Sequence, residues 1–294
     1  MQSPPEVSTP STTSRWAQLV ARMPRPDPED KILKNVEPGQ VEKVAAELLA
    51  GGREAVAALV AMLTEPGAEA SDSPVRHALH ALVIHACREG DAQRRAAAAA
   101  LTSMLSDEAR PPAVRSFVVQ QLALCGDRDA APALGALLAD EQLYADAVMA
   151  LLSIGGGSAS DQFRAALGDA TGSRRVAVIQ ALGTLRDAAS ADALRHAAAR
   201  DPDRSARLAA VRALGSIGDP AAADLLVEAA GQAKGHERVE SANACLLLLE
   251  NLARAGRTKE AEALHARLRA MWAGPADRHL RDAADNSRAV TPRP

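Results

Sequence analysis

The chain has 294 residues, of which 47% are apolar, 24% charged and only 2% aromatic, and its formal net charge is −3. This balance excludes a chain too polar to fold and a global basic field that would attract nucleic acid or an anionic membrane. The three cysteines, Cys87, Cys125 and Cys245, are an odd number lying far apart in apolar helical patterns, so we predict buried thiols rather than a disulfide framework.

The first 28 residues are rich in Pro, Ser and Thr, and RWAQLVARM is their short apolar segment. We interpret residues 1–28 as a flexible tail with room for one helical turn. No stretch reaches the roughly 20 apolar residues that cross a bilayer, and the start lacks the apolar middle of a signal peptide. As written, the sequence therefore predicts a cytoplasmic protein. A removed signal or anchor would instead place the protein in the periplasm or the envelope.

Residues 29–285 are predicted to form an array of repeated helices. Leu-rich segments alternate with short breaks rich in Gly, Asp and Pro, which are the expected signals for successive helices. A column of leucines recurs at intervals of 29, 31 and 32 residues, in Leu122, Leu151, Leu182 and Leu214. Weaker copies of the unit begin at Arg76 and Arg238. A period of this length is typical of a solenoid.

Each repeat is predicted to be a pair of helices. In the clearest copy, RLAAVRALGSIGDPAAADLL, the second helix is apolar on several sides and must be covered by its partner and by the neighbouring repeats. An Asp recurs where the following helix begins, at Asp127, Asp187 and Asp219. We expect these carboxylates to cap free N–H groups, each contributing about 1 kcal/mol.

An Arg at the head of the second helix, followed by A-L-G-x-I-G-D-P, resembles HEAT repeats over roughly residues 40–271. The period near 31 is closest to the short HEAT-like repeats of phycobilisome lyases. The resemblance implies an all-α, right-handed α-solenoid of about six to seven HEAT-like helix pairs. Its last pair, from about residue 258, would form a polar cap, and residues 286–294 would be disordered. The sequence departs from the pattern at Tyr144, which replaces the Arg, and at Gly156, which replaces the Asp.

The head arginines form a column that has two interpretations. In HEAT-like families such an Arg pairs with an Asp near the turn between helices, and Asp203 stands four residues before Arg207. The alternative is a ladder that binds a ligand. We favour a structural ladder made of Arg76, Arg115, Arg175, Arg207 and Arg238.

A second set of residues predicts the binding surface. Positions five and nine residues after each head share one helical face, and there polar side chains interrupt otherwise apolar helices. Second helices line the concave side in the families that this chain resembles. The candidate partner-binding stripe consists of Gln120, Gln180, Thr184, Arg212, Ser216 and Asn243. The alternative is a face that only meets solvent.

No catalytic residue, metal site or cofactor is predicted. His77 and His80 lie three residues apart with His85 nearby, but no recognisable spacing adds the three or four ligands that a metal needs. The pair His236-Glu237 stands alone, whereas the HEAT-like deoxyhypusine hydroxylases bind di-iron through several such pairs. The GGGS segment at Gly155 is predicted to be a loop between two helices. It does not match a phosphate-binding loop, because it lacks the preceding strand and the Lys of that motif.

These observations favour a non-catalytic scaffold or adaptor that binds a protein or peptide on its concave face. Nucleic acid is not an expected partner, because the stripe is mostly neutral. Two alternatives stay open: a HEAT-like lyase or isomerase acting on a protein-bound tetrapyrrole, and a structural segment of an envelope-associated assembly.

Overall fold

The protein was analysed as a computed structural model, which describes residues 12–24, 37, 39–65 and 72–288. Within these ranges the chain forms sixteen α-helices and no strand. The helices are α1 (Thr12–Ala21), α2 (Gln40–Ala50), α3 (Gly52–Ala61), α4 (Ser73–Glu89), α5 (Asp91–Thr102), α6 (Pro112–Cys125), α7 (Ala131–Ala136), α8 (Tyr144–Ile154), α9 (Gly156–Leu167), α10 (Gly172–Thr184), α11 (Ala191–Arg200), α12 (Arg204–Ile217), α13 (Ala223–Gln232), α14 (Gly235–Arg254), α15 (Thr258–Met271) and α16 (Arg278–Arg288).

The helices form the predicted pairs. From α3 to α16 there are seven pairs in the described chain, and α1 and α2 precede them. We call the even-numbered members, which include the predicted Arg column, the second helices. The chain divides into two compact units, Met1–Ile154 and Gly155–Pro294. In the N-terminal unit α2, α4, α6 and α8 stack in sequence order, and in the C-terminal unit α10, α12, α14 and α16 do the same. The all-α solenoid pattern is therefore confirmed.

The core of each unit is built from the predicted apolar columns. Leu122 and Leu151 are fully buried in the N-terminal unit, and Leu182 and Leu214 are fully buried in the C-terminal unit. Helices of this kind are stabilised mainly by packing, since each second helix is covered by its partner and by its stacked neighbours. The many small Ala residues allow this close packing without aromatic side chains.

Close helix packing depends on two glycines in the C-terminal unit. A Cβ atom at Gly183 would lie 2.7 Å from the Cα of Ala213 on α12. A Cβ atom at Gly215 would lie 2.5 Å from the carbonyl oxygen of Ala244 on α14. The G of the A-L-G motif therefore allows successive second helices to approach each other at backbone distance.

The prediction of a flexible tail over residues 1–28 is wrong for residues 12–24. These residues contain α1, whose Trp16 is only 1% exposed, and α1 packs against α2, α3 and α4. Its apolar residues recur at helical spacing, which gives the helix a face to bury. Residues 1–11 and 25–28 lie outside the described residues. At the other end α16 reaches Arg288, within the segment predicted to be disordered, and residues 289–294 also lie outside the described chain.

The head Arg is the fourth residue of its helix rather than the first. Helices α4, α6, α10, α12 and α14 each begin three residues before their Arg. The sequence missed these starts because the first turn carries no apolar periodicity. Likewise, α9 begins at Gly156, so most of the GGGS segment belongs to the first turn of a helix.

The Asp column caps a helical segment at only one of its three positions, Asp219, because the Asp127 carboxylate bonds within the turn before α7 and Asp187 accepts no capping bond. Asp219 accepts a hydrogen bond from the backbone N–H of Ala221 (3.1 Å), and Asp127 accepts one from Asp129 (3.0 Å). Asp187 accepts no capping hydrogen bond, and its Oδ1 is bound by Arg164 on α9 at 2.5 Å.

Candidate functional site: the polar face of the second helices

The predicted stripe lies on the second helices of both units, which are described separately. In the C-terminal unit, Gln180 and Thr184 lie on α10, and Arg212 lies at the register of Gln180 on the neighbouring helix α12. The side chains of these three residues and of Asn243 on α14 are exposed, and Ser216 is half-buried. Because α12 stacks on both α10 and α14, the five residues occupy three adjacent helices.

The hydroxyl groups of this face are already used as donors. Thr184 Oγ1 donates to the carbonyl oxygen of Gln180 (2.9 Å), and Ser216 Oγ donates to that of Arg212 (3.2 Å). Back-bonding of this kind is common for Ser and Thr inside helices. The two hydroxyl oxygens consequently keep their acceptor capacity toward a partner, while the amide groups of Gln180 and Asn243 offer both donors and acceptors.

Arg212 is held in place by a residue that the sequence analysis did not identify. Its Nε atom lies 3.1 Å from Oε2 of Glu240 on α14, and the Glu240 side chain is only 17% exposed. The Arg212 side chain is 57% exposed, so much of its guanidinium still faces solvent. Glu240 precedes Asn243 by three residues on the same helix face, and this spacing is the sequence signal that would have found it.

In the N-terminal unit the stripe has a different character. Gln120 is exposed on α6, and its Nε2 atom lies 3.2 Å from Oδ1 of Asp146 on α8. The same face carries two exposed apolar side chains, Leu124 (47% exposed) and Met149 (63% exposed). On α4 the corresponding position is a buried Ala81. The polar pattern predicted for the stripe is therefore interrupted in this unit by apolar residues.

The predicted Arg ladder makes contacts near the turns between helices. Arg76 binds Asp72 within the same repeat, with its Nε 2.9 Å from Oδ1. Three others bind an Asp that belongs to the following repeat: Arg175 with Asp201 at 2.5 Å, Arg238 with Asp277 at 2.7 Å, and Arg115 with Asp140 at 3.4 Å.

Arg207 does not pair with Asp203 as the four-residue spacing predicted. Its Nη1 donates to the carbonyl oxygen of Asp201 (2.7 Å). The carboxylate of Asp203 is occupied instead as the N-cap of α12, where it accepts from the backbone N–H of Ser205 (2.8 Å). Capping satisfies a helix N–H that would otherwise lack a partner in the helix.

A second set of arginines, on the first helices of the C-terminal unit, was missed by the sequence analysis. Arg164 on α9 binds Asp187, and Arg195 on α11 binds Asp219. Each of these arginines also binds an Asp three residues before it. The recurring Asp-x-x-Arg, at Asp161 and again at Asp192, is the signal that identifies this ladder.

The three cysteine thiols lie in surroundings that favour their protonated form. Burial raises the pKa of the Cys125 thiol to about 12 and that of Cys245 to about 12, and burial also raises the pKa of the Cys87 thiol. All three are therefore protonated near neutral pH, whereas the thiolate is the nucleophilic form.

The described residues contain no group of three or more His, Cys, Asp or Glu side chains arranged to hold a metal ion. Burial, assisted by the charge of His80, lowers the pKa of His77. His85 lies 3.0 Å from Glu42, and His236 faces Glu240 rather than Glu237. Glu237 is bound by Arg204 at 2.5 Å. No described helix is long and apolar enough to span a membrane.

Residues 160–246 match the family model for HEAT repeats. Within this segment the chain contains HEAT repeats. The matched HEAT segment covers α10 to α13 completely and most of the polar face in the C-terminal unit. No curated protein matches the chain.

Two solved structures have low similarity to the chain. The complex of CpcE and CpcF of phycocyanin lyase from Nostoc sp. PCC7120 is 21% identical, with a TM-score of 0.36, over 92% of this chain and 99% of that one. Human deoxyhypusine hydroxylase in complex with glycerol is 17% identical, with a TM-score of 0.32, over 81% and 96% of the two chains. Sequence identities and TM-scores this low assign no activity to this chain.

Proposed function

We propose that the chain is a non-catalytic HEAT-repeat scaffold or adaptor that binds a protein or an extended peptide on the polar face of its second helices. One observation carries this proposal: Gln180, Arg212 and Asn243 expose polar side chains on three stacked helices of the C-terminal unit. Stacked repeats offer extended surfaces of this kind to a partner.

The chemistry of the face suits a peptide backbone. Amide side chains supply paired donors and acceptors, and the oxygens of Thr184 and Ser216 accept hydrogen bonds because their protons are used within the helix. Arg212, held by Glu240, adds one fixed positive charge that can bind a carboxylate. A partner with an acidic residue beside a hydrogen-bonding segment would match this arrangement.

The other functional hypotheses have less support. Among the described residues, none specifically indicates a lyase or isomerase that acts on a protein-bound tetrapyrrole. None specifically indicates a structural segment of an envelope-associated assembly either. A cytoplasmic location remains a prediction from the N-terminal sequence. We assign a structural role to Arg76, Arg175 and Arg238 of the Arg ladder, because they bind Asp carboxylates near the turns between helices.

Affinity capture with charge-changed variants tests the proposed face. We expect Gln180→Glu combined with Arg212→Glu to lose a specific partner that the unchanged protein retains, because the change places negative charge where a carboxylate would bind. The matched control is Arg200→Glu combined with Gln232→Glu, which makes the same charge change at exposed residues on first helices of the same unit.

The control should capture the partner as the unchanged protein does, and both double variants should keep the helical circular dichroism of the parent. Binding of the purified partner would then be measured by calorimetry. Equal affinity of the Gln180/Arg212 variant and the control would refute the proposed face.

A further inference from the structure

The N-terminal unit contains a cavity of about 700 Å³ near the first turn of α6. Two buried apolar side chains, Leu105 and Leu137, line it together with small Ala residues of α7. Arg115 and Asp140 also contact the cavity, and the exposed side chains of Glu108 and Glu141 lie at its edge. This volume falls within the range of about 300–1,000 Å³ that is typical of small-molecule sites.

Arg115 differs from the other arginines of the ladder. Its side chain is only 11% exposed, and its Nε is buried without a hydrogen-bond partner among the described residues. In the ladder, by contrast, the Nε of Arg76 lies 2.9 and 3.0 Å from the two oxygens of Asp72, and the Nε of Arg175 lies 2.5 Å from Asp201.

Asp140 does not fully satisfy the Arg115 guanidinium. Its Oδ2 lies 3.4 Å from Arg115 Nη1, a long contact for a charged pair. Its other oxygen, Oδ1, accepts hydrogen bonds from the backbone N–H groups of Gln142 (2.9 Å) and Leu143 (3.2 Å). These bonds fix the carboxylate at the turn before α8. Because Asp140 reaches only Nη1, and at a long distance, the Arg115 guanidinium keeps N–H groups that can donate to an acceptor of a ligand in the cavity that Arg115 lines.

The positive and negative side chains that line the cavity differ in how deeply they are buried. The buried Arg115 provides a positive group inside, whereas Glu108 and Glu141 provide exposed negative groups at the edge. A simple anion would be repelled by the three carboxylates, and a simple cation would be repelled by Arg115. A molecule with a carboxylate at one end and an ammonium at the other matches both ends.

We propose that this cavity binds a small zwitterion with an apolar body, such as a short peptide with free termini. Its carboxylate accepts hydrogen bonds from Arg115, its apolar side chains contact Leu105 and Leu137, and its ammonium lies near Glu108 and Glu141. This site is separate from the polar face of the C-terminal unit and does not depend on it.

Calorimetry of the full chain with three related probes tests the proposal. The probes are L-alanyl-L-leucine, its N-acetyl derivative, which lacks the ammonium, and its C-terminal amide, which lacks the carboxylate. We expect the free dipeptide to bind and each derivative to bind about tenfold more weakly, because each loses one charged hydrogen bond. No binding of the dipeptide at about 10 mM, or equal binding of the three probes, would overturn the proposal.

Variants assign the two ends of the ligand. Arg115→Gln should weaken dipeptide binding about tenfold or more, and Arg115→Lys should also weaken it, because Lys lacks the planar pair of donors. Glu108→Gln combined with Glu141→Gln should weaken binding of the dipeptide but not of the N-acetyl probe. Both glutamates are exposed, so this variant tests the site even if Arg115→Gln unfolds.

Arg128→Gln is the matched control, because Arg128 is exposed in the same unit and the charge change is identical. It should bind the dipeptide with unchanged affinity. Unchanged dipeptide affinity in both the Arg115 variants and the glutamate variant would show that the cavity is not the binding site and would overturn the assignment.

Discussion

Gly215 shows how one residue sets the distance between helices. Its missing Cβ would lie 2.5 Å from the carbonyl oxygen and 3.0 Å from the Cα of Ala244, both backbone atoms that cannot move independently. Gly157, at the start of α9, has nothing within 4 Å of its Cβ position and thus forms a control in the same unit.

We predict that Gly215→Ala lowers the free energy of unfolding by about 1–3 kcal/mol, because the added methyl group forces α12 and α14 apart. Gly157→Ala should instead be neutral or raise stability by about 0.5 kcal/mol, since it reduces the freedom of the unfolded chain. Urea unfolding followed by circular dichroism measures both. Equal stability of the two variants would contradict the close approach.

Arg186 is a residue in an unfavourable backbone conformation. It has a φ of 51°, and in the described chain every other residue with positive φ is a glycine. The residue ends α10 in a left-handed turn in which Asp187 N–H donates to the carbonyl oxygen of Leu182 (3.0 Å). One repeat later the same position holds Gly218, with a φ of 80°. Glycine adopts this conformation without the steric cost that a side chain brings.

Arg186→Gly should therefore raise the free energy of unfolding by about 1 kcal/mol. Arg200→Gly is the control, because Arg200 lies in the helical conformation at the end of α11, where glycine lowers stability. The two melting temperatures should change in opposite directions. A fall in both would show that the turn at Arg186 is not strained.

At the scale of the helix, α16 is held by a cluster of charged groups. His265 on α15 is buried, and its Nε2 lies 2.6 Å from Oδ1 of Asp285 on α16. Arg269 contacts the same carboxylate at 2.8 Å. The hydrogen bond with His265 lowers the pKa of Asp285, while burial raises it and Arg269 lowers it further, so the net pKa is below the usual value.

The sign of this shift gives a pH dependence. A lowered pKa means that the charged form of Asp285 stabilises the folded helix above the normal carboxyl pKa near 3.9, and that this contribution is lost as the pH falls through the folded-state pKa. Asp285→Asn should remove the contribution at neutral pH. Hydrogen exchange in α16 should become faster, whereas Asp282→Asn, whose exposed partner Arg278 lies 3.8 Å away, should change it little. Similar exchange rates in both variants would contradict a specific role for Asp285.

The helices could be predicted from the sequence where they carry apolar columns. Leu182 and Leu214 occupy the buried positions that the repeat assigned to them, since period and burial follow from the same pattern. The start of α12 was missed because its first turn is polar. The helix around Trp16 was predicted only as a single turn, because its burial depends on residues of α2, α3 and α4 that lie far along the chain.

The candidate site was predictable only in part. Helical spacing placed Gln180 and Arg212 at one register, and both are exposed there. The three-residue spacing places Glu240 on the same helix face as Asn243, but its pairing with Arg212 depends on how adjacent repeats meet. The cavity beside Arg115 could not be predicted either. The distance between the Arg115 guanidinium and the Asp140 carboxylate is set by the turn before α8.

At the scale of the whole molecule, the chain consists of two units of stacked helix pairs, and each repeat packs mainly on its neighbours. The two units present different surfaces. The face of the C-terminal unit is polar, with Gln180, Arg212 and Asn243 exposed, whereas that of the N-terminal unit exposes Leu124 and Met149. We therefore expect a partner of the C-terminal unit to be recognised through hydrogen bonds and charge.

Site-specific photo-crosslinking tests most directly the claim that this polar face binds a partner. A photoreactive residue would be placed in turn at Gln180, Asn243 and, as a control on a first helix, Gln232. We expect the first two positions to crosslink the same partner protein and position 232 not to crosslink it. Crosslinking of that partner from position 232 alone, or equally from all three positions, would contradict the assignment of the binding surface.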